Sequence, residues 1–276
     1  MGDRREPTRA GAAPRAPTRV MQILEALAAE PGGMTLSRLS ARLGAPKTTL
    51  LGTLRALEAE AYVANSDGMY RVGTATVSLA GLIASGSFFP ASIRSILAAL
   101  VAKSGETGIV GILSEDGSEV VYVDMIPSRS AIRFAAAVGS RRPLYCSAIG
   151  RAILAYQTEE FIENYLSRTP LLRHTERTVV DPALIRANLA EIRRAGHVES
   201  IGETTEGVGG AAAPVVDRLG EVKAAVAVAA PSERVIDRGE ALEAMVKDAA
   251  QEASRALGYA AAYPLATDGM ALPRVG

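Results

Sequence analysis

Thr35 to Val72 reads TLSRLSARLGAPKTTLLGTLRALEAEAYVANSDGMYRV, and it decides how the rest of the chain is read. Thr35 is a helix-capping residue, and Leu36, Leu39 and Leu43 follow it at helical spacing. Gly44 suits the left-handed position that ends such a helix. Pro46 suits the first turn of the next one, where its missing N–H costs nothing. On that helix Leu50, Leu54, Leu57 and Ala61 fall on one face. Thr48, Gly52, Arg55 and Ala59 point the other way, with Leu51 on the flank, at about 100° per residue. Tyr62-Val63-Ala64 and Met69-Tyr70-Arg71-Val72 alternate around Asp67-Gly68, a hairpin signal.

Upstream, Thr18 reads as a cap, and Val20, Ile23, Leu24, Leu27 and Ala28 form one apolar stripe that Pro31-Gly32-Gly33 terminates. Three helices and a ribbon make the outline of a winged helix-turn-helix over residues 18–75, a fold that sets its last helix in the DNA major groove. Lys47, Thr48 and Thr49 stand at the N-terminal end of that helix, where free N–H groups and the dipole favour phosphate. Leu51, Gly52 and Arg55 continue the reading face, and Ser37 and Arg38 on the preceding helix are counted with them. Arg71 on the ribbon either reaches the sugar-phosphate backbone or is merely solvated. The plainer reading of Thr48 and Thr49 is that they only cap.

A chain of 276 residues suggests two domains. Apolar residues make up 48% but aromatic ones only 4%, with no Trp, so the cores rest on Leu, Val, Ile and Ala. The net charge of zero hides an asymmetry: residues 1–75 hold 10 Lys and Arg against 7 Asp and Glu, the remainder 20 against 23. The basic share falls where DNA is expected. Cys146 is the single cysteine and cannot form an intrachain disulfide. The N-terminus has no apolar leader, and no run reaches the roughly 18 apolar residues of a membrane span. A cytoplasmic protein with no membrane contact is expected.

Residues 1–17, with Pro, Arg and Ala in no period, read as a disordered arm, and 261–276 as a disordered tail. A linker helix is expected over 76–89, with a boundary near residue 88 and a second domain over 90–260. That domain opens with a helix over Ala91 to Ser104. Strands follow at Thr107 to Ser114, Glu119 to Ile126 and Ala131 to Val138. Helices are expected at Ser147 to Gln157, Glu159 to Arg168 and Pro182 to Ala195. Strands His197 to Glu203, Gly210 to Arg218 and Glu221 to Ala230 lead to a closing helix, Asp237 to Leu257. The order implies an α+β fold with a largely antiparallel sheet and flanking helices.

The blocks RVMQILEALA, TLSRLSARLGAPKTTL, LRALEAEAYV and YRVG resemble the DNA-binding pattern of the IclR family of transcription regulators. TGIVGIL, EVVYVDMI, VGSRRPLYCSAIGRAILA, IRRAGHVES, EGVGGAAAPV and AVAVAAPSER resemble its second domain, in the same order. The resemblance covers roughly residues 18 to 258. It implies a winged helix-turn-helix, a linker helix and a GAF- or profilin-like effector domain, in a homodimer or dimer of dimers. The partners implied are partly palindromic double-stranded operator DNA and a small metabolite. Many relatives carry Arg where this chain has Gly52. Two readings follow: Gly52 permits close backbone approach with Leu51 on a thymine methyl, or the helix reads few bases and leans on Thr48, Thr49, Arg55 and DNA shape.

By the same resemblance the effector contacts a segment matching Tyr145, Cys146, Ser147, Ala148 and Ile149, together with Ser200, Val208, Gly210, Ala227 and Ala229. Acid-sensing relatives carry Asp, Cys and Ser at several of these places. Their replacement here implies a roomier, more apolar cavity, with N–H groups at Ser147 to Gly150 left for an anion. An effector larger or more apolar than glyoxylate or pyruvate is therefore expected, such as an aromatic acid. The plainer reading is ordinary sheet packing, with the ligand elsewhere.

Other chemistry finds little support. Cys146 with His174 or His197 lacks a catalytic context, and two His with one Cys at wide spacing make no metal site. Glu199, Glu203 and Glu206 read as solvated, and Gly207 to Gly210 lacks the Lys-Ser/Thr of a phosphate loop. Neither catalytic residues, metal nor cofactor is expected. The competing functions are a sensor whose degenerate DNA head works through protein contacts, and a small-molecule enzyme.

Overall fold

The computed structural model describes residues 15–85, 91–261 and 263. Most of the expected arm, the end of the linker helix and nearly all of the expected tail lie outside the described residues. The chain divides into two compact units, Met1–Ser87 and Phe88–Gly276.

In the first unit α1 (Arg15–Ala28) begins ahead of Thr18, so Thr18 is not its cap. Pro17 falls in the first turn, where no intrahelical N–H is required and the helix is free to start early. β1 (Met34–Thr35) leads into α2 (Leu36–Leu43), and the Thr35 hydroxyl accepts from the Arg38 N–H at 3.3 Å. Gly44, at φ 57°, ends α2. α3 (Lys47–Ala59) starts directly after Pro46. β2 (Val63–Ser66) and β3 (Met69–Val72) turn on Asp67 and Gly68, both at positive φ (52° and 78°), which matches the right-handed twist of a hairpin. β1 pairs with the far side of β3, giving the order β1-β3-β2. α4 (Thr74–Ser85) is tied back to the ribbon, the Thr76 hydroxyl donating to the Tyr62 carbonyl at 2.7 Å. Ile23, Leu27, Leu39, Leu50 and Leu54 meet in one core, each worth about 1.5–3 kcal/mol when fully buried.

The second unit starts with α5 (Ala91–Ser104), β4 (Thr107–Leu113) and β5 (Glu119–Ile126). In the turn between these strands Asp116 accepts from the Ser114 hydroxyl and from Ser118, which holds its carboxyl down at about 2. The strand expected at Ala131 to Val138 is absent; the segment is irregular. Its carbonyls go to side chains instead of a ladder: the Thr107 hydroxyl donates to Phe134 O and Arg234 Nη2 to Ile132 O, each at 2.9 Å. Pairing resumes at Gly139 (φ 88°), whose N–H donates to the Tyr122 carbonyl at 2.7 Å, and continues as β6 (Arg141–Pro143) on the edge of β5.

Helices α6 (Ala148–Leu154), α7 (Glu159–Arg168) and α8 (Pro182–Ala195) follow. β7 (Val198–Ile201), β8 (Val208–Val216) and β9 (Val222–Pro231) complete a fully antiparallel sheet of order β6-β5-β4-β9-β8-β7. β8 carries Pro214 beyond the end of β7, on a stretch with one free side where a missing N–H breaks no ladder. α9 (Ser232–Ala256) begins at Ser232, not Asp237, because Pro231 passes the chain from strand to helix without a loop. Alternation along β9 builds two cores. Ala225 and Ala227 face α6, α7 and α8, while Val226 and Val228 face α5 and α9.

Candidate functional site

Among the described residues two places offer chemistry. The first is the outer face of α3. Lys47, Thr48, Thr49, Gly52 and Arg55 are exposed, and Leu51 is half-buried beside them. Leu50, Leu54 and Leu57 anchor the opposite face in the core. Pro46 makes no side-chain cap, and neither Thr48 nor Thr49 caps the helix with its hydroxyl. A Cβ at Gly52 would meet nothing within 4 Å, so no contact within this unit requires glycine there. Ser37 and Arg38 are exposed on α2, Arg38 in an ion pair with Glu30 at 3.4 Å. Arg71 is exposed on β3, its stem packed over Gly33, where a Cβ would come within 2.7 Å.

The second is a half-open cavity in the other unit, about 490 Å³ with the open solvent at its mouth included, between the sheet and the start of α6. Sheet register creates it. Ser200, Gly210 and Ala229 stand in one row across β7, β8 and β9, and Ala227 lies beside Ile109 of β4. These residues line the cavity with Val208, and Ser147, Ala148 and Ile149 close it from the helix side. Gly210 is not simply an emptied slot. A Cβ there would come within 2.5 Å of the Val228 carbonyl, so the glycine also permits close approach of β9.

Tyr145 and Cys146 do not line the cavity. They are buried behind it, for reasons of packing. The Tyr145 hydroxyl donates to the Leu172 carbonyl at 2.6 Å, and its ring stacks on His174 with centroids 6.3 Å apart. Cys146 is wholly enclosed, and burial pushes its thiol up to about 11, which suits a core residue and not a nucleophile. The N–H groups expected to be free at Ser147 to Gly150 are in part committed. Gly150 N donates to Ser147 Oγ at 3.1 Å and Arg151 N to the Ser147 carbonyl at 2.8 Å. Ser147 Oγ donates in turn to the Pro143 carbonyl at 2.6 Å. A Cβ at Gly150 would strike this cap at 2.5 Å.

Several lining residues are not among the positions read for ligand contact. Tyr122 projects from β5, Phe134 from the irregular segment, Arg142 from β6, and Thr204 and Thr205 from the loop before β8. Tyr122 is legible as inward-facing by alternation with Val120; Phe134 and Arg142 had no such signal. The walls are held from behind by a buried ion pair. Arg151 of α6 reaches Glu203 at 2.6 Å, Asn188 of α8 at 2.8 Å and the Glu199 carbonyl at 3.2 Å. Glu203, expected to be solvated, has a side chain only 13% exposed. Thr175 and Thr178 donate to the Gly202 and Glu203 carbonyls, each at 2.7 Å. Among the described residues no three His, Cys, Asp or Glu converge on a metal position, and no helix is long and apolar enough to cross a membrane.

Comparison with known proteins places both units. Residues 16–67 match the IclR helix-turn-helix domain, and residues 90–255 match the bacterial transcriptional regulator IclR C-terminal domain. The HTH-type transcriptional regulator BhcR of Paracoccus denitrificans is 32% identical over 255 residues, 89% of this chain and 86% of that protein. The transcriptional repressor IclR of Escherichia coli K12 is 28% identical over 244 residues, 87% of this chain and 89% of that one. Among solved structures, an IclR homolog from Microbacterium hydrocarbonoxydans complexed with 4-hydroxybenzoate superposes with a TM-score of 0.74. It is 25% identical, covering 88% of this chain and 99% of that one.

Proposed function

Because the chain belongs to the IclR family, DNA-binding transcription regulators with a C-terminal ligand-binding domain, we propose that a small-molecule effector in the second unit's cavity controls binding of its first unit to operator DNA. The observation that carries this reading is the cavity itself: eight of the positions read as effector contacts line one space. On the DNA side, Thr48, Thr49, Leu51, Gly52 and Arg55 meet the major groove, and Lys47, Ser37, Arg38 and Arg71 meet the sugar-phosphate backbone. The exposure of all of these but the half-buried Leu51, on α3, α2 and β3, supports this. The effector is larger or more apolar than glyoxylate or pyruvate. Ala227, Ala229, Ile109 and Phe134 in the walls, and the 4-hydroxybenzoate bound by the Microbacterium relative, support that class. The protein acts in the cytoplasm as a homodimer or dimer of dimers. Exposed Met21 on α1 and Val77 and Leu79 on α4, at 56%, 63% and 43%, support self-association.

A gel shift on the DNA upstream of its own gene tests the head. Operator binding should weaken steeply with salt and discriminate sequence. Lys47→Ala should weaken all sequences alike and lower the salt slope by about 1, whereas Thr49→Ala and Arg55→Ala should change base preference. Wild-type footprints from all three variants would sink the assignment of α3. Calorimetry showing tight binding of pyruvate and none of 4-hydroxybenzoate or larger acids would sink the effector class.

A further inference from the structure

Among the described residues that line the cavity, Arg142 alone carries a charge. It is half-buried on β6, where Val120 of β5 is its partner in register. Its Nη1 donates to the Arg141 carbonyl at 2.8 Å, and its Cζ lies 5.7 Å from the centre of the Tyr122 ring. Tyr122 is itself a cavity wall, so the ring holds the guanidinium at the lining. Among the described residues no carboxylate pairs with Arg142. Its neighbour Arg141 pairs with Glu119 at 2.6 Å, and the deeper Arg151 pairs with Glu203. Burial raises the Tyr122 phenol above its ordinary value, and the nearby Arg142 charge works against that rise.

A cation partly withdrawn from water gains most from a ligand that neutralises it and fills its donor fork. A carboxylate matches the planar guanidinium and cancels its charge one for one. A phosphate ester also fits the fork, but its second charge would meet no second cation, since Arg142 is the one charged residue among the described residues that line the cavity. Tyr122 and Phe134 supply aromatic surface, and Ser200, Thr204 and Thr205 supply hydroxyls for a polar substituent.

We propose that Arg142 anchors the carboxylate of an aromatic acid whose ring packs on Tyr122 and Phe134, and that it thereby selects the effectors this cavity accepts. The inference rests on the reading of the cavity as the effector site. It places the anionic end of the ligand toward β6 and away from the cap of α6, whose Gly150 N–H is already taken.

The test uses the full chain, thermal shift and calorimetry, and matched probes: benzoate, 4-hydroxybenzoate and phenylacetate, each beside its neutral carboxamide. At least one acid should stabilise the wild type, and its amide should bind tenfold or more weakly. Arg142→Met should lose at least tenfold in affinity for that acid and close the gap to the amide. Arg142→Lys, which keeps the charge but not the fork, should fall between. Equal affinity of the acid for wild type and Arg142→Met overturns the anchor, as do amides that bind as tightly as acids, or a panel in which no acid binds. Ala229→Phe, which fills the space and leaves Arg142 in place, separates the two layers of argument. Acid binding that survives Ala229→Phe defeats the cavity reading, whereas binding that vanishes there yet ignores Arg142→Met defeats the anchor alone.

Discussion

The two units carry their proposed function in opposite directions. In the first, the working side chains point outward from one helix, and all that is asked of the fold is that α3 be held by Leu50, Leu54 and Leu57. In the second, the working surface points inward, and it exists only because strands far apart in sequence align Ser200, Gly210 and Ala229. An outward face is changed one side chain at a time with little effect on stability. An inward one shares its walls with the core, so recognition and stability are perturbed together.

The largest effect expected from this contrast is in the cavity wall. Glu203→Ala leaves the Arg151 guanidinium, 6% exposed, without its carboxylate, and should cost about 3–5 kcal/mol in denaturant unfolding. Acid binding should be lost with it, while Thr49→Ala on the outward face should stay within about 0.5 kcal/mol of wild type. A cost for Glu203→Ala below about 1 kcal/mol, the range of an exposed ion pair, would break the comparison.

A smaller effect sharpens the outward side. Gly52→Ala meets no neighbour and should stabilise α3 by about 0.5–1 kcal/mol. If the backbone at Gly52 approaches DNA closely, affinity should fall although stability rises. If α3 reads few bases there, affinity should hold. Destabilisation by this variant would show that α3 is not the exposed helix described.

The smallest effect lies at Cys146. At pH 8 iodoacetamide should alkylate the folded protein far more slowly than the denatured chain, since the thiolate is the reactive form and burial suppresses it. Its value rises from 9.0 to about 11 on folding, so the unfolded chain ionises first. The stability this group contributes is complete below pH 9 and is lost as pH rises through about 11. Rapid alkylation at pH 8 would instead put the thiol at an open surface.

Most of the first unit was legible because its signals are local. A cap at Thr35, a left-handed Gly44 and the Asp67-Gly68 turn each act within a few residues, and the structure shows all three. The helix start at Arg15 was hidden because Pro17 suits both a coil and a first helical turn. In the second unit short apolar runs bounded by the turns at Glu115-Asp116-Gly117 and Leu219-Gly220 marked β4, β5, β8 and β9. The segment from 131 to 138 misled because alternation does not reveal that Thr107 and Arg234 take its carbonyls. Tyr145 and Cys146 were placed by motif, and a motif does not say which side of a wall a side chain occupies.

Short-range chemistry in the chain thus determined the helix-turn-helix, its wing, the antiparallel strands and the small residues that β8 and β9 carry. Caps, turns and periodicity are properties of neighbours in sequence, and they need no partner to be read. Only the tertiary structure decided that Ser200, Gly210 and Ala229 share a row, that Glu203 is drawn inward by Arg151, and that Arg142 is the one charged residue among the described residues that line the cavity. Those are facts of register and burial. They depend on which distant residues meet, because a charge is costly or useful only once its surroundings are fixed.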